Sequence, residues 1–187
     1  MRDDIRKACE VLRRGGLILY PTDTVWGIGC DATCEKAVSR IYALKRRDSD
    51  KSMLVLMDSP ARLQTYVRDV PDIAWSLTEV SDRPLTIIYD GARNLAPNLI
   101  AADGSIGIRI TSEAFSMALC RCFRKPVVST SANVSGEPSP ASFSQIGPAI
   151  REGVDYIVEY GREARVNPRH SEIVKIGADS SVKIIRR

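Results

Sequence analysis

With 187 residues, 44% apolar and 27% charged, the chain has the size and mixture of one globular domain that buries a full core without disulfides. It has no run of about 18 apolar residues, which excludes a membrane-spanning helix. The opening "MRDDIRKACEVLRRGG" mixes acids and bases without an apolar block, so no export or transit segment is expected and the chain is read as cytoplasmic. A net charge of +4 suits an anionic ligand without demanding one.

In chain order, Ile5, Ala8, Cys9 and Leu12 recur at helical spacing, and Gly15-Gly16 supplies the stop. Leu17 to Tyr20 reads as a buried strand ended by Pro21. Thr33 is placed to cap a second helix whose inner face carries Ala37, Val38, Ile41 and Leu44. Met53 to Met57 is a strand, and Ser59-Pro60 opens the next turn as cap and first-turn proline. Pro84 to Tyr89 and Ile106 to Ile110 are strands, Glu113 to Phe123 a helix, and Pro126 to Ser129 a short strand. Ser142 is placed to cap a helix to about Ile150, and three strands, "YIVEY", "EIVKI" and "VKIIR", finish the chain. Interleaved strands and helices predict an α/β class. The closing run of strands predicts a mixed, twisted open sheet with packed helices, over a single domain of residues 1–187.

Five cysteines without an export signal read as reduced and structural. Neither Cys30/Cys34 nor Cys120/Cys122 has zinc spacing, and His170, the sole histidine, is expected in an exposed loop, so no metal site is predicted. The phosphate-loop, dinucleotide and nucleophile-elbow signatures are absent. Positive residues cluster at Lys45-Arg46-Arg47 with Lys51, at Arg121, Arg124 and Lys125, at Arg162, Arg165 and Arg169, and at Arg186-Arg187.

Three polar stretches remain. "YPTDTVWGIGCD" offers short hydroxyls and a carboxylate, glycines for close backbone approach, and a wall of Val25 and Trp26. "LKRRDSDKS" places Lys45, Arg47 and Lys51 at a helix end, where cations are favoured even without a ligand and where an arginine fork can also grip phosphate. "STSANVSGEPSP" places hydroxyls and an amide after a strand, in backbone suited to an ordinary turn or to an anion.

Taken in order with "RPLTIIY" and "IGIRIT", these stretches resemble the YrdC-like family of threonylcarbamoyl-adenylate synthases, over nearly the whole chain. The resemblance implies condensation of L-threonine, bicarbonate and ATP to threonylcarbamoyl-AMP with release of pyrophosphate, the first step of threonylcarbamoyl-adenosine modification of tRNA. Magnesium would ride on the ATP phosphates. By motif, Lys45 and Arg47 are the catalytic cations. Thr24, Arg109, Ser131 and Ser171 bind threonine. Arg47, Lys51, Thr86, Asn133 and Arg186 bind ATP. The chain departs from the family in "DRPLT", in Lys51 and in "SEIV", and it resembles the short form lacking a further C-terminal domain. Implied partners are tRNA or double-stranded RNA on a basic face and the proteins of the later transfer step, with no membrane. A non-catalytic RNA-binding member of the same fold, acting in translation or ribosome maturation, is the alternative. The low aromatic content, 6%, offers it no stacking platform.

Overall fold

The structure, a computed structural model, describes residues 1–163, 170–177 and 180–186; Arg165, Arg169 and Arg187 lie outside the described residues. The helices are α1 (Arg2–Arg13), α2 (Glu35–Lys45), α3 (Leu63–Tyr66), α4 (Asp72–Val80), α5 (Ala114–Phe123) and α6 (Pro148–Gly153). The strands are β1 (Ile18–Tyr20), β2 (Gly27–Gly29), β3 (Leu54–Met57), β4 (Leu85–Tyr89), β5 (Ile106–Ile110), β6 (Val127–Ser131), β7 (Tyr156–Ile157), β8 (Glu172–Ile176) and β9 (Val182–Arg186). Among the described residues no helix is long and apolar enough to cross a membrane.

All nine strands join one sheet in the order β7-β1-β2-β6-β3-β5-β4-β8-β9. The pairs β1/β7, β3/β5 and β4/β8 are parallel and the others antiparallel, so the sheet is mixed as expected. Successive side chains of a strand point to opposite faces, and here the faces differ. One carries Leu19, Ile28, Val55, Val128, Ile87, Ile108 and Val174, and packs with Ala37, Val38 and Ile41 of α2 into the main core. On the other, Ile18, Tyr20, Leu56 and Val127 meet Ala8, Cys9 and Leu12 of α1 and Phe115, Leu119 and Phe123 of α5. Those two helices cover only part of this second face; the remainder is the floor of a cavity.

Several local expectations change. Thr33 does not cap α2: its hydroxyl donates to Asp31 Oδ1 (2.7 Å), and Cys34 occupies the cap without a side-chain bond. Ser142 precedes only a single 3-10 turn, Phe143–Gln145, and α6 starts later, after Gly147. Gly27–Gly29 is a strand, made so by its antiparallel partners on both sides, and β6 runs on to Ser131. Cys9, Cys30 and Cys120 are buried, whereas Cys122 is exposed.

Candidate functional site

The cavity holds about 350 Å³. Its floor follows from strand parity. Leu54 pairs with Ser129, Gly27 with Ser131, Arg109 with Thr86, and Gly107 with Ile88, so these residues lie in neighbouring positions on one face. All eight line the cavity. A Cβ on Gly27 would sit 3.2 Å from Thr22 Cγ2, and one on Gly107 3.3 Å from Thr86 Cγ2. Both glycines thus leave bare backbone that a ligand can approach closely.

The turn between β1 and β2 forms one wall. The Thr22 hydroxyl donates to Val25 O (2.7 Å), accepts from Thr24 N (3.2 Å) and lies 3.1 Å from Thr24 Oγ1. That local network turns Thr22, Thr24 and Val25 to the cavity. Trp26 does not share the wall: it is buried and packs on Phe143 with ring centroids 5.0 Å apart. Asp23 is not among the lining residues and lies against Arg109 instead.

Three arginines converge. Arg109 is almost fully buried, and its Nη2 lies 3.0 Å from Asp23 Oδ1 and 3.5 Å from Thr24 Oγ1. Burial raises the pKa of Asp23, an effect opposed by the charge of Arg109. Half-buried Arg47 follows Arg46, a left-handed residue (φ 49°) that ends α2. Its guanidinium donates to Lys51 O (2.8 Å) and Ser52 O (3.1 Å), which brace the loop and aim it at the cavity. Arg186 arrives through a β-bulge. Ile173 pairs with Arg186 while Val174 pairs with Ile184, so Ile185 is the extra residue. Were Ile185 paired regularly, Arg186 would share the face of Ile184; the bulge re-aims it. Its guanidinium donates to Ser171 O (2.9 and 3.1 Å) and Ser171 Oγ (3.3 Å), and Ser171 Oγ lies 2.9 Å from Thr86 Oγ1. Ser105 and the apolar Met53, Ile88 and Ile173 complete the lining.

Seven of the expected residues therefore share one cavity: Thr24, Arg47, Thr86, Arg109, Ser131, Ser171 and Arg186. Three do not. Lys45 is buried and its ammonium donates to the backbone carbonyls of Ser131 and Asn133, so it pins the turn behind the cavity wall. Desolvation, with the charge of Arg47 second, lowers its pKa to about 8. Lys51 is exposed and ion-paired with Asp48 (2.8 Å) three residues back, a short-range partner that holds it outside. Asn133 serves the turn: its Nδ2 donates to Val134 O (2.9 Å) and Glu137 O (2.7 Å). Several lining residues escaped sequence reasoning, among them Thr22, Ser129 and His170. Thr22 and Ser129 sit inside stretches already quoted, where period-two spacing from Thr24 and Ser131 points to them. His170 is exposed as expected, yet it stands at the cavity edge, and its adjacency to Ser171 was the available signal.

A protein-family model described as "Telomere recombination" (Sua5_yciO_yrdC) matches residues 10–187. A threonylcarbamoyl-AMP synthase of Xanthomonas campestris pv. campestris (strain B100) is 35% identical over 160 residues, 83% of this chain and 85% of the relative. A structure of a double variant of P. abyssi Sua5 superposes with TM-score 0.88 at 26% identity, over 97% of this chain and 55% of that one. P. abyssi Sua5 complexed with L-threonine superposes with TM-score 0.84 at 25% identity, over 91% and 50% respectively. This chain thus spans about half the length of that Sua5.

Proposed function

The chain belongs to the Sua5/YciO/YrdC family, and from that membership we propose that it condenses L-threonine, bicarbonate and ATP to L-threonylcarbamoyl-AMP, releasing pyrophosphate. The observation that carries this is the convergence of Arg47, Arg109 and Arg186 with a row of hydroxyls on one cavity whose described lining contains no carboxylate. Such a surface suits a substrate carboxylate and a triphosphate together. A plain RNA-binding module has no use for three arginines directed into a recess of this size.

Arg109 and the hydroxyls of Thr24, Ser131 and Ser171 receive threonine. Arg47, Arg186 and Thr86 face the nucleotide, with Met53, Leu54, Ile88 and Ile173 as apolar surface for its base. The threonine amine attacks the bicarbonate carbon and water is lost. A carbamate oxygen then attacks the α-phosphorus, and pyrophosphate departs. Holding amine, carbon and phosphorus together can remove several kcal/mol of barrier, on the order of 7 or more for well-oriented groups. Preorganised cations stabilise the charge that develops on phosphate. Mg2+ is carried on the triphosphate. Among the described residues no cluster of histidine, cysteine and carboxylate could hold a metal, so its ligands would be phosphate oxygens and water. Residues 1–187 act as one domain in the cytoplasm, ahead of transfer to tRNA by other proteins.

Incubation with ATP, bicarbonate and L-threonine, followed by mass analysis, should yield threonylcarbamoyl-AMP. Pyrophosphate release should require all three substrates; equal release without threonine would mean a simple nucleotide hydrolase.

A further inference from the structure

Asp23 is a buried charge without a local task. Its side chain is 6% exposed and that of Arg109 3%. It does not line the cavity, and the turn it sits in is held by Thr22 instead. Its principal compensation is the charge of Arg109, 3.0 Å away, with its own backbone N–H and the Thr111 hydroxyl contributing less. A buried carboxylate is tolerated when a cation lies against it. The guanidinium in turn is not saturated: Arg109 Nε is buried and also lacks a hydrogen-bond partner. Arg109 lines the cavity and Asp23 does not, so the pair ties a cavity-lining cation to a buried carboxylate.

We propose that Asp23 is a positioning residue, which holds the Arg109 guanidinium through Nη2 so that the arginine meets the carboxylate of the amino-acid substrate. This rests on the assignment of Arg109 to the threonine carboxylate. Three features make Asp23 suited to the task. It meets Arg109 without itself lining the cavity. It neutralises a cation that would otherwise be buried alone while the cavity is empty. Its contact is confined to Nη2, which Thr24 Oγ1 also approaches at 3.5 Å, so the rest of the guanidinium is left for a second carboxylate. A residue that merely stabilised the turn would affect both substrates alike, because Thr22 and Thr24 stand on the same turn as the wall facing the whole cavity.

The test compares wild type with Asp23→Asn, which keeps shape and removes charge. The Michaelis constant for L-threonine should rise roughly 10- to 100-fold, the range for a lost charge-assisted contact. The constant for ATP and the ATP-induced rise in melting temperature should stay near wild type. In an Arg109→Lys background, where the fork is already gone, Asp23→Asn should add little further loss for threonine. An unchanged or lower threonine constant, or equal weakening of threonine and ATP, overturns the proposal. If Asp23→Asn does not fold, a crystal structure of the wild-type chain with L-threonine decides. The Asp23–Arg109 contact should persist with the ligand carboxylate on the Arg109 guanidinium, and a carboxylate that displaces Asp23, or binds away from Arg109, overturns it. A wild-type chain that does not use L-threonine overturns the functional assignment and this proposal together. Normal use with an unaffected Asp23→Asn variant overturns this proposal alone.

Discussion

Lys45, Lys51 and Asn133 are the expected site residues that do not line the cavity and bond elsewhere. As a nucleotide neighbour, Asn133 would tolerate replacement by aspartate in the absence of ligand. The structure predicts otherwise, because Nδ2 donates to two backbone carbonyls. Asn133→Asp replaces a double donor by an acceptor facing two acceptors, so the folded state should lose on the order of 1–3 kcal/mol. A denaturant titration without ligand checks this, and an unchanged midpoint would return Asn133 to the cavity. Lys45 predicts a pH effect. Its folded pKa is about 8 against an ordinary 10.5. Between those values the unfolded chain holds the proton and the folded chain releases it, so raising the pH favours folding. Subtracting the stability of Lys45→Met from that of wild type should give a difference that climbs from about pH 8 towards pH 10. A flat difference between pH 7 and pH 9.5, from urea midpoints, would mean that the ammonium is not desolvated. Taking the difference cancels the buried thiols and phenols, whose raised pKa values act in the opposite sense at high pH.

At the scale of elements, β9 carries the sharpest consequence. The bulge at Ile185 keeps Arg186 opposite Ile173. Deleting Ile185, which is exposed and contributes little to the core, should restore regular pairing with Arg186 still opposite Ile173 and on the same face. The expected outcome is a chain that melts close to wild type and keeps its gain in stability from ATP, whereas Arg186→Ala should lose part of that gain; full retention of the ATP effect in Arg186→Ala would exclude Arg186 from the site. The same parity logic explains the bare floor. Leu54, Gly107 and Thr86 occupy adjacent strands on one face, and the cluster that α1 and α5 build there reaches Leu54 at its edge. The cavity is the portion of a sheet face that two helices leave uncovered.

Across the whole molecule, one sheet links every part of the site, from the turn after β1 to the end of β9. Ligand binding should therefore stabilise the fold as a unit. ATP at a hundred times its dissociation constant should contribute about 2.7 kcal/mol, read as a raised melting temperature. Arg47→Ala should remove most of that gain while costing the free protein only about 1 kcal/mol, because its present bonds go to nearby loop carbonyls. A variant that kept the full ATP shift would leave Arg47 as no more than a loop brace.

Read alone, the sequence determined what nearest neighbours and periodicity can determine. Apolar runs marked β1, β3, β4, β5 and β8, helical spacing marked α1, α2 and α5, and the ordered polar stretches marked the family. Turn chemistry was legible in part: Ser59 does accept from Ala61 N as a cap (3.1 Å), whereas Thr33 found Asp31 closer. Which polar residues share the cavity was settled only by tertiary structure. Strand parity states which side chains lie on one face, but not which face the helices leave open, and Gly27–Gly29 became a strand only because partners flank it. Lysine and arginine have stems long enough to reach several partners, so the nearest acceptor in the folded chain decides. For Lys45 that was the backbone of Ser131 and Asn133, for Lys51 the carboxylate of Asp48, and for Arg109 the carboxylate of Asp23. These partners lie from 3 to 88 residues away in sequence, and the distant ones meet only because the sheet order brings β1, β2, β6, β3 and β5 side by side.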